Sequence, residues 1–276
     1  MVSQGYRPAT VSKMFQVGRA SLYREKSKRQ RWPVKDDCNL EGRLRHWRER
    51  YPWWGYRKIT ALIRSRDGLV VNHKRVYRVM KELSLLGRRL NREPVKHDGR
   101  FELPEGPNQL WQADLTKVWT EERGWVNLIA IIDVYDRFVL AHGLKLRGRA
   151  VEAAEVLDEA LNRSFPDGAR DSGLKVMTDQ GSCFTGYAFK QTIKQIDLTH
   201  RLTRRRTPEH NAFIESFFAQ LKREEVWPNE YHCLQDAESS IGRYVKIYNH
   251  ERPHGQLGML TPAQVRQMDI LHKKAA

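Results

Sequence analysis

Cysteine is scarce in this chain of 276 residues: Cys38, Cys183 and Cys233 are an odd number, lie far apart and form no Cys-x-x-Cys pair. A disulfide framework and a structural zinc knuckle are excluded, leaving three ordinary reduced thiols. No run of about 18 apolar residues occurs, and no apolar stretch follows a basic start, so neither a spanning helix nor a signal peptide is expected. Acidic charge is also lacking, but only locally. The formal net charge is +16, and residues 1–100 hold 26 Lys and Arg against 9 Asp and Glu, leaving 23 against 24 in the remainder. Essentially all the positive excess therefore lies in the first hundred residues. Such an asymmetry points to a polyanion at the front, and nucleic acid fits because neutralising phosphates releases condensed counterions. With no membrane segment, a cytoplasmic protein acting on DNA or RNA is expected.

What is present in the basic front are helices. PATVSKMFQVGRASLYREK predicts a helix over about Thr10 to Phe15, a turn at Gln16 to Gly18 and a second helix from about Ala20, the pattern of a helix-turn-helix over 1–35. Its second helix would present Ser21, Tyr23 and Arg24 to DNA. Residues 36–87 predict a second helical module of the same kind. Ile59, Leu62 and Ile63 form one apolar stripe, and Val76, Val79, Met80 and Leu83 another. Gly55 separates the first two helices, Asn72 is placed as an N-cap, and Gly87 is expected to stop the last helix. Trp53 and Trp54 are expected in the core. Arg57, Lys58, Lys74, Arg75 and Arg78 are the phosphate-contact candidates. Residues 88–107 lose all apolar periodicity and read as a linker.

From residue 108 the pattern changes. LWQADLTKVWT, WVNLIAIIDVYD and RFVLAHGLKL predict three strands in an antiparallel meander, with the middle one, apolar on both faces, expected to be central and covered on both sides. A helix follows, with Val151, Ala154, Leu157 and Leu161 on one stripe. The strand LKVMTD, the helix FTGYAFKQTIKQID, the strand THRLTRRR and a long helix from HNAFIES complete the pattern. Helices alternating with strands beside a meander indicate an α/β fold, a mixed sheet flanked by helices, over 108–250, with 251–276 as a C-terminal tail.

Three acids in this region stand out: Asp114 within a strand, Asp179 at a strand end and Glu215 within a helix. Each interrupts or ends an apolar element, where a carboxylate is costly unless a cation or donor offsets it. Three convergent carboxylates make a hard, oxygen-rich site suited to Mg²⁺, which takes further ligands from water and substrate phosphates. Lys222, seven residues after Glu215, falls on the same helix face and can reach a phosphate held there. Arg204, Arg205 and Arg206, just before that helix, are candidates for following the substrate backbone.

WQADLT, then TDQGS, then HNAFIESFFAQLKRE, with 35 residues between Asp179 and Glu215, resemble the retroviral-integrase superfamily, and more narrowly the OrfB-type transposases of bacterial insertion sequences. WWGYRKI before this core and YNHERPHGQLGMLTPAQV after it carry the same resemblance, which spans residue 40 to the end. It implies a ribonuclease-H-like fold, preceded by all-α helix-turn-helix modules in place of the zinc domain of retroviral integrases. Asp114, Asp179 and Glu215 match the DDE triad, and Lys222 matches a basic residue usual at its position. The implied chemistry is nicking and strand transfer with two Mg²⁺ ions, or Mn²⁺, about 3.5–4 Å apart, with Asp114 bridging them. The implied partners are terminal inverted repeats and target DNA, further copies of the chain, and an upstream OrfA-type protein joined by frameshifting. Two rival readings are a metal-dependent nuclease that cuts without joining and a non-catalytic DNA-binding repressor.

Overall fold

The computed structural model describes residues 7–14, 37–87, 103–203 and 211–275, and the chain divides into two units, 1–40 and 41–276. In the first unit, helix α1 spans Pro8–Met14. It begins two residues earlier than the sequence pattern suggests, because Pro8 fits a first helical turn, where its missing N–H needs no partner. The second helix expected there, with Ser21, Tyr23 and Arg24, lies outside the described residues.

Helix α2 (Cys38–Arg50) leads into the second unit, followed by α3 (Tyr56–Arg66) and α4 (His73–Glu82). Ile59, Leu62 and Ile63 of α3 and Val76, Val79 and Met80 of α4 are buried as their spacing requires. Asn72 caps α4 by accepting from the Lys74 amide at 2.9 Å. That helix stops at Glu82 rather than at Gly87. The reason is local: Ser84 takes a left-handed φ of 56° and the Leu85 amide closes back on the Met80 carbonyl. The tryptophan pair also splits. Trp54 is buried and stacked on Tyr51, with centroids 3.9 Å apart, whereas Trp53 is 49% exposed.

The sheet comprises β1 (Leu110–Thr120), β2 (Gly124–Asp133), β3 (Val139–Lys145), β4 (Lys175–Thr178) and β5 (Thr199–Leu202). Their spatial order is β3-β2-β1-β4-β5, with β1, β2 and β3 antiparallel and β4 and β5 parallel to β1. The central strand is thus β1, not the more apolar β2. A chain that leaves the meander and returns through helices adds its later strands to the free edge of β1. The apolar character of β2 has another cause: Ile129 and Ile131 face one helical layer, while Leu128, Ala130 and Ile132 face the other.

The first layer is α5 (Ala150–Ser164), the short α6 (Ser182–Thr185) and α7 (Tyr187–Gln195). Gly186 separates α6 from α7, and a Cβ there would stand 2.6 Å from that of Ala150. Along α5, Ala154, Leu157 and Leu161 are buried, but Val151 is 53% exposed, one residue into the helix and beyond its buried stripe. The second layer is α8 (Ala212–Leu221), continued by a π-helical turn over Lys222–Val226, and α9 (Leu234–His250). Helix α10 (Pro262–Ala275) follows. Its Arg266 reaches back to the buried Asp133 and Asp136 at 2.8 and 2.6 Å. No helix among the described residues is long and apolar enough to cross a membrane.

Candidate active site

The sheet register places the first two acids. The parallel ladder of β1 and β4 pairs Ala113 with Thr178, so the next residue of each strand, Asp114 and Asp179, emerges at neighbouring positions. Asp179 lies at the carboxyl end of β4, where open α/β sheets form their sites. Its Oδ1 accepts from the Gly181 amide at 2.9 Å. A Cβ at Gly181 would stand 2.9 Å from the same oxygen, so a side chain there would push the carboxylate out of this position.

The third acid is delivered by a helix that β1 itself anchors. Residues 112 and 114 lie on the same face of the strand. Fully buried Gln112 accepts from the Ile214 amide at 3.1 Å, in the first turn of α8. Ile214, Phe217 and Leu221 then bury one stripe of that helix against β1 and β2. Glu215, in the first turn and beside that stripe, is left exposed.

The charges of these groups reach one another. Asp114 is half-buried, and its Oδ1 accepts from the Leu115 amide at 2.7 Å. Its pKa is nevertheless pushed up to about 7, chiefly by burial, with the charges of Asp179 and Glu215 adding to the rise and the Leu115 bond and Lys222 opposing it. Burial also raises Glu215. A strand, a strand end and a helix therefore bring four charged side chains into one field. They do not yet form a cage: among the described residues, no three His, Cys, Asp or Glu side chains are gathered closely enough to hold an ion. The donor set is oxygen-only and self-repelling. That fits a hard divalent cation, which would relieve the repulsion recorded in Asp114.

At Lys222 the helix widens into its π turn, and Glu224 turns into the protein. It accepts from Arg252 at 3.0 and 2.8 Å, from Trp54 Nε1 at 3.1 Å and from Tyr244 Oη at 3.3 Å. Both members of the Glu224–Arg252 pair are almost fully buried. Burial alone would raise Glu224, but the bonds and charge of Arg252, with Lys58 and Trp54, hold it at about 2. Glu224 thus links the helical module to the turn carrying Lys222. Sequence reasoning passed over Gln112, Glu224 and Arg252. Gln112 had a signal in its place two residues before Asp114, and Arg252 lies in the HERPH segment, but nothing local paired Arg252 with Glu224.

The phosphate-contact candidates fall into distinct settings. Arg57, Lys74 and Arg78 are exposed, and Arg75 is half-buried. Lys58 is tucked toward Glu224 and over the Trp54 ring at 5.9 Å, and its pKa is lowered to about 7, first by burial and then by Arg252, with Glu224 opposing. Arg204, Arg205 and Arg206 lie outside the described residues.

A mixed five-stranded sheet between two helical layers, with acids on its central strand, on the strand beside it and on a covering helix, is a ribonuclease-H-like core of the integrase type. Comparison with known proteins agrees. The Integrase core domain family matches residues 104–208, a second family of the same description matches 196–262, and an HTH-like domain matches 35–93. The chain is 27% identical to the Escherichia coli transposase InsD for insertion element IS2A/D/F/H/I/K over 96% of its own length and 92% of that protein's. The transposase InsD for insertion element IS2D, from Escherichia coli strain K12, matches to the same extent. Among solved structures, a chain of the simian T-cell lymphotropic virus intasome in complex with PP2A regulatory subunit B56 gamma shares the fold. Its TM-score is 0.51 at 15% identity, covering 81% of this chain and 74% of that one. The chain thus carries an integrase core domain behind an HTH-like domain and is similar to insertion-sequence transposases over nearly its whole length.

Proposed function

We propose that this enzyme nicks the ends of an insertion element and joins the freed 3′-hydroxyls to target DNA, with Asp114, Asp179, Glu215 and Lys222 as its catalytic residues. Asp114, Asp179 and Glu215 would hold two Mg²⁺ ions, replaceable by Mn²⁺, which when bound would supply activation of the attacking oxygen and stabilisation of the departing one. Asp114 is oriented for this by the Leu115 amide, Asp179 by the Gly181 amide, and Glu215 by the packed stripe of α8. Lys222 neutralises a phosphate oxygen beside them. Because nicking and joining differ only in whether water or a DNA 3′-hydroxyl attacks, one site serves both and no covalent protein intermediate is needed.

The observation that carries this reading is the placement of the acids: the ladder pairing Ala113 with Thr178 puts Asp114 beside Asp179, and Gln112, two residues before Asp114, anchors the first turn of the helix carrying Glu215. Around the catalytic core at 108–250, modules at 1–35 and 36–87 recognise the terminal inverted repeats, with 88–107 as linker and 251–276 following the core. The assembly is a homo-oligomer on DNA in the bacterial cytoplasm, with an upstream OrfA-type partner. Incubating the full chain with MgCl₂ and a labelled duplex bearing the element's inverted repeats tests the proposal. Nicked and joined products are expected from the wild type and neither from Asp114→Asn. Cutting without joining would favour a nuclease, and binding without cutting a repressor.

A further inference from the structure

The ladder between β1 and β4 ends at Ala113 and Thr178, and among the described residues no strand pairs with that edge of β1 beyond Ala113. Along the outer part of β1 lies a hollow of about 500 Å³, bounded by β1, β2, the π turn and the segment before α9. Its lining includes Lys117, Lys222, Trp119, Trp125 and Trp227. The three tryptophans are 52%, 60% and 72% exposed. That is unusual for the costliest apolar side chain to leave in water, and a cluster of such rings marks a binding surface. Trp119 and Trp125 face each other across the hairpin, edge to face at 5.3 Å. The hairpin tip is tied down by the Glu121 and Glu122 amides, which donate to the Tyr231 and His232 carbonyls at 2.9 and 3.0 Å. The platform is therefore preformed.

Two features choose its occupant. Lys222 lines this hollow and stands at the end of the helix that carries Glu215, seven residues further on, so this one side chain lies between the hollow and the candidate active site. Its charge is graded. Lys117 and Lys222 line it together with Glu121 and Glu230, and along β1 Lys117 is nearer to Asp114 while Glu121 lies past the far end of the strand. Cations suit a phosphodiester entering from the active site, and the rings suit what hangs from it. An aromatic surface beside lysines takes bases by stacking, which requires a base free of its duplex partner. Trp119 lies five residues from Asp114, about 17 Å along β1 or about five base steps, and on the opposite face, so DNA that spans the two passes round the edge of β1 beyond Ala113.

We propose that Trp119, Trp125 and Trp227 form a stacking site for unpaired nucleotides of the DNA whose scissile phosphate lies at Asp114, with Lys117 and Lys222 holding the backbone between. The proposal rests on the catalytic reading of Asp114 and Lys222 only for which DNA is held. Bases stacked there keep a frayed end from re-annealing and fix the strand along β1.

The test uses the full chain in EDTA, where nothing is cut. Fluorescence anisotropy compares a blunt labelled duplex with the same duplex bearing a short oligothymidylate extension. The wild type should prefer the extension and show quenched tryptophan emission. Trp119→Ala and Trp227→Ala should each lower affinity for the extended DNA about tenfold while leaving blunt-duplex binding within about twofold, and Trp227→Phe should retain most of the preference. If both variants bind the two DNAs as the wild type does, or weaken equally on both, the proposal is wrong. It is equally wrong if sedimentation shows that Trp227→Ala dissociates an oligomer, for then the face joins copies of the chain. Asp114→Asn should keep the preference in EDTA, so a failed catalytic assignment and a failed stacking site give different results.

Discussion

Replacing Glu224 by glutamine tests the buried connection between the helical module and the catalytic core. The substitution keeps shape and removes one charge, leaving the Arg252 guanidinium, with its side chain 3% exposed, without a counter-ion. The pKa of Glu224 is held at about 2 against an ordinary 4.5. That difference corresponds to about 3 kcal/mol favouring the charged form in the folded state. Breaking a buried pair from one side independently suggests about 3–5 kcal/mol. Glu224→Gln should therefore lower unfolding free energy at pH 7 by about 3 kcal/mol in urea titrations. The pH dependence has a definite sign. A depressed carboxylate stabilises fully above its unfolded pKa, so the gap between wild type and variant should be flat above pH 5 and shrink as pH falls from 4.5 toward 2. Adding Arg252→Met should recover part of the loss, because the stranded cation is removed with it. A loss under about 1 kcal/mol, or one that does not change with pH, would refute the account of Glu224 as the ionic centre of this junction.

Asp114→Asn should bring joining to background yet stabilise the metal-free protein. The raised pKa of Asp114, about 7, means that its contribution is fully present below pH 3.8 and lost as pH rises through 7. Full conversion would be about 4 kcal/mol, and solvent at the half-exposed carboxylate cuts this to about 2 kcal/mol. In EDTA at pH 8, calorimetry should thus show a melting temperature higher by several degrees (about 2–4 °C per kcal/mol); an unchanged or lower value contradicts the crowding of charge at this site. Gly181→Ala, whose Cβ would stand 2.9 Å from Asp179 Oδ1, should lower the joining rate on the order of 100-fold with little change in DNA binding. Lys74→Ala should flatten the salt dependence of DNA binding by about one unit of log–log slope, whereas Lys58→Ala, altering a side chain tucked toward Glu224, should change stability and leave that slope alone. Binding titrations between 50 and 200 mM salt, a range over which phosphate contacts change affinity strongly, separate the two.

Much of this protein was legible as local pattern. Alternating and continuous apolar runs marked the meander, a helical stripe of Ile214, Phe217 and Leu221 marked α8, and three acids in apolar settings marked the candidate site. What local pattern could not show was who sits beside whom. The most apolar strand invited a central position, yet β1 took it, because burial on both faces depends on the helical layers rather than on rank in the sheet. Val151 matched apolar periodicity and Trp53 is an aromatic at a helix junction, yet both are exposed, since neither signal specifies how far the cover extends.

Residue type and spacing, acting over a few positions, by themselves determined the helices, the strands, the basic front and the identity of the acids. Tertiary structure alone decided that Asp114 and Asp179 leave neighbouring strands at the same level, and that Gln112 caps the helix carrying Glu215. It also decided that Glu224 meets Arg252 at 3.0 and 2.8 Å, a contact no spacing rule anticipates. The physical reason is range: hydrogen-bond geometry and side-chain periodicity act within one or two turns, whereas charge repulsion, burial and ion pairing depend on which distant segments the assembled sheet brings together.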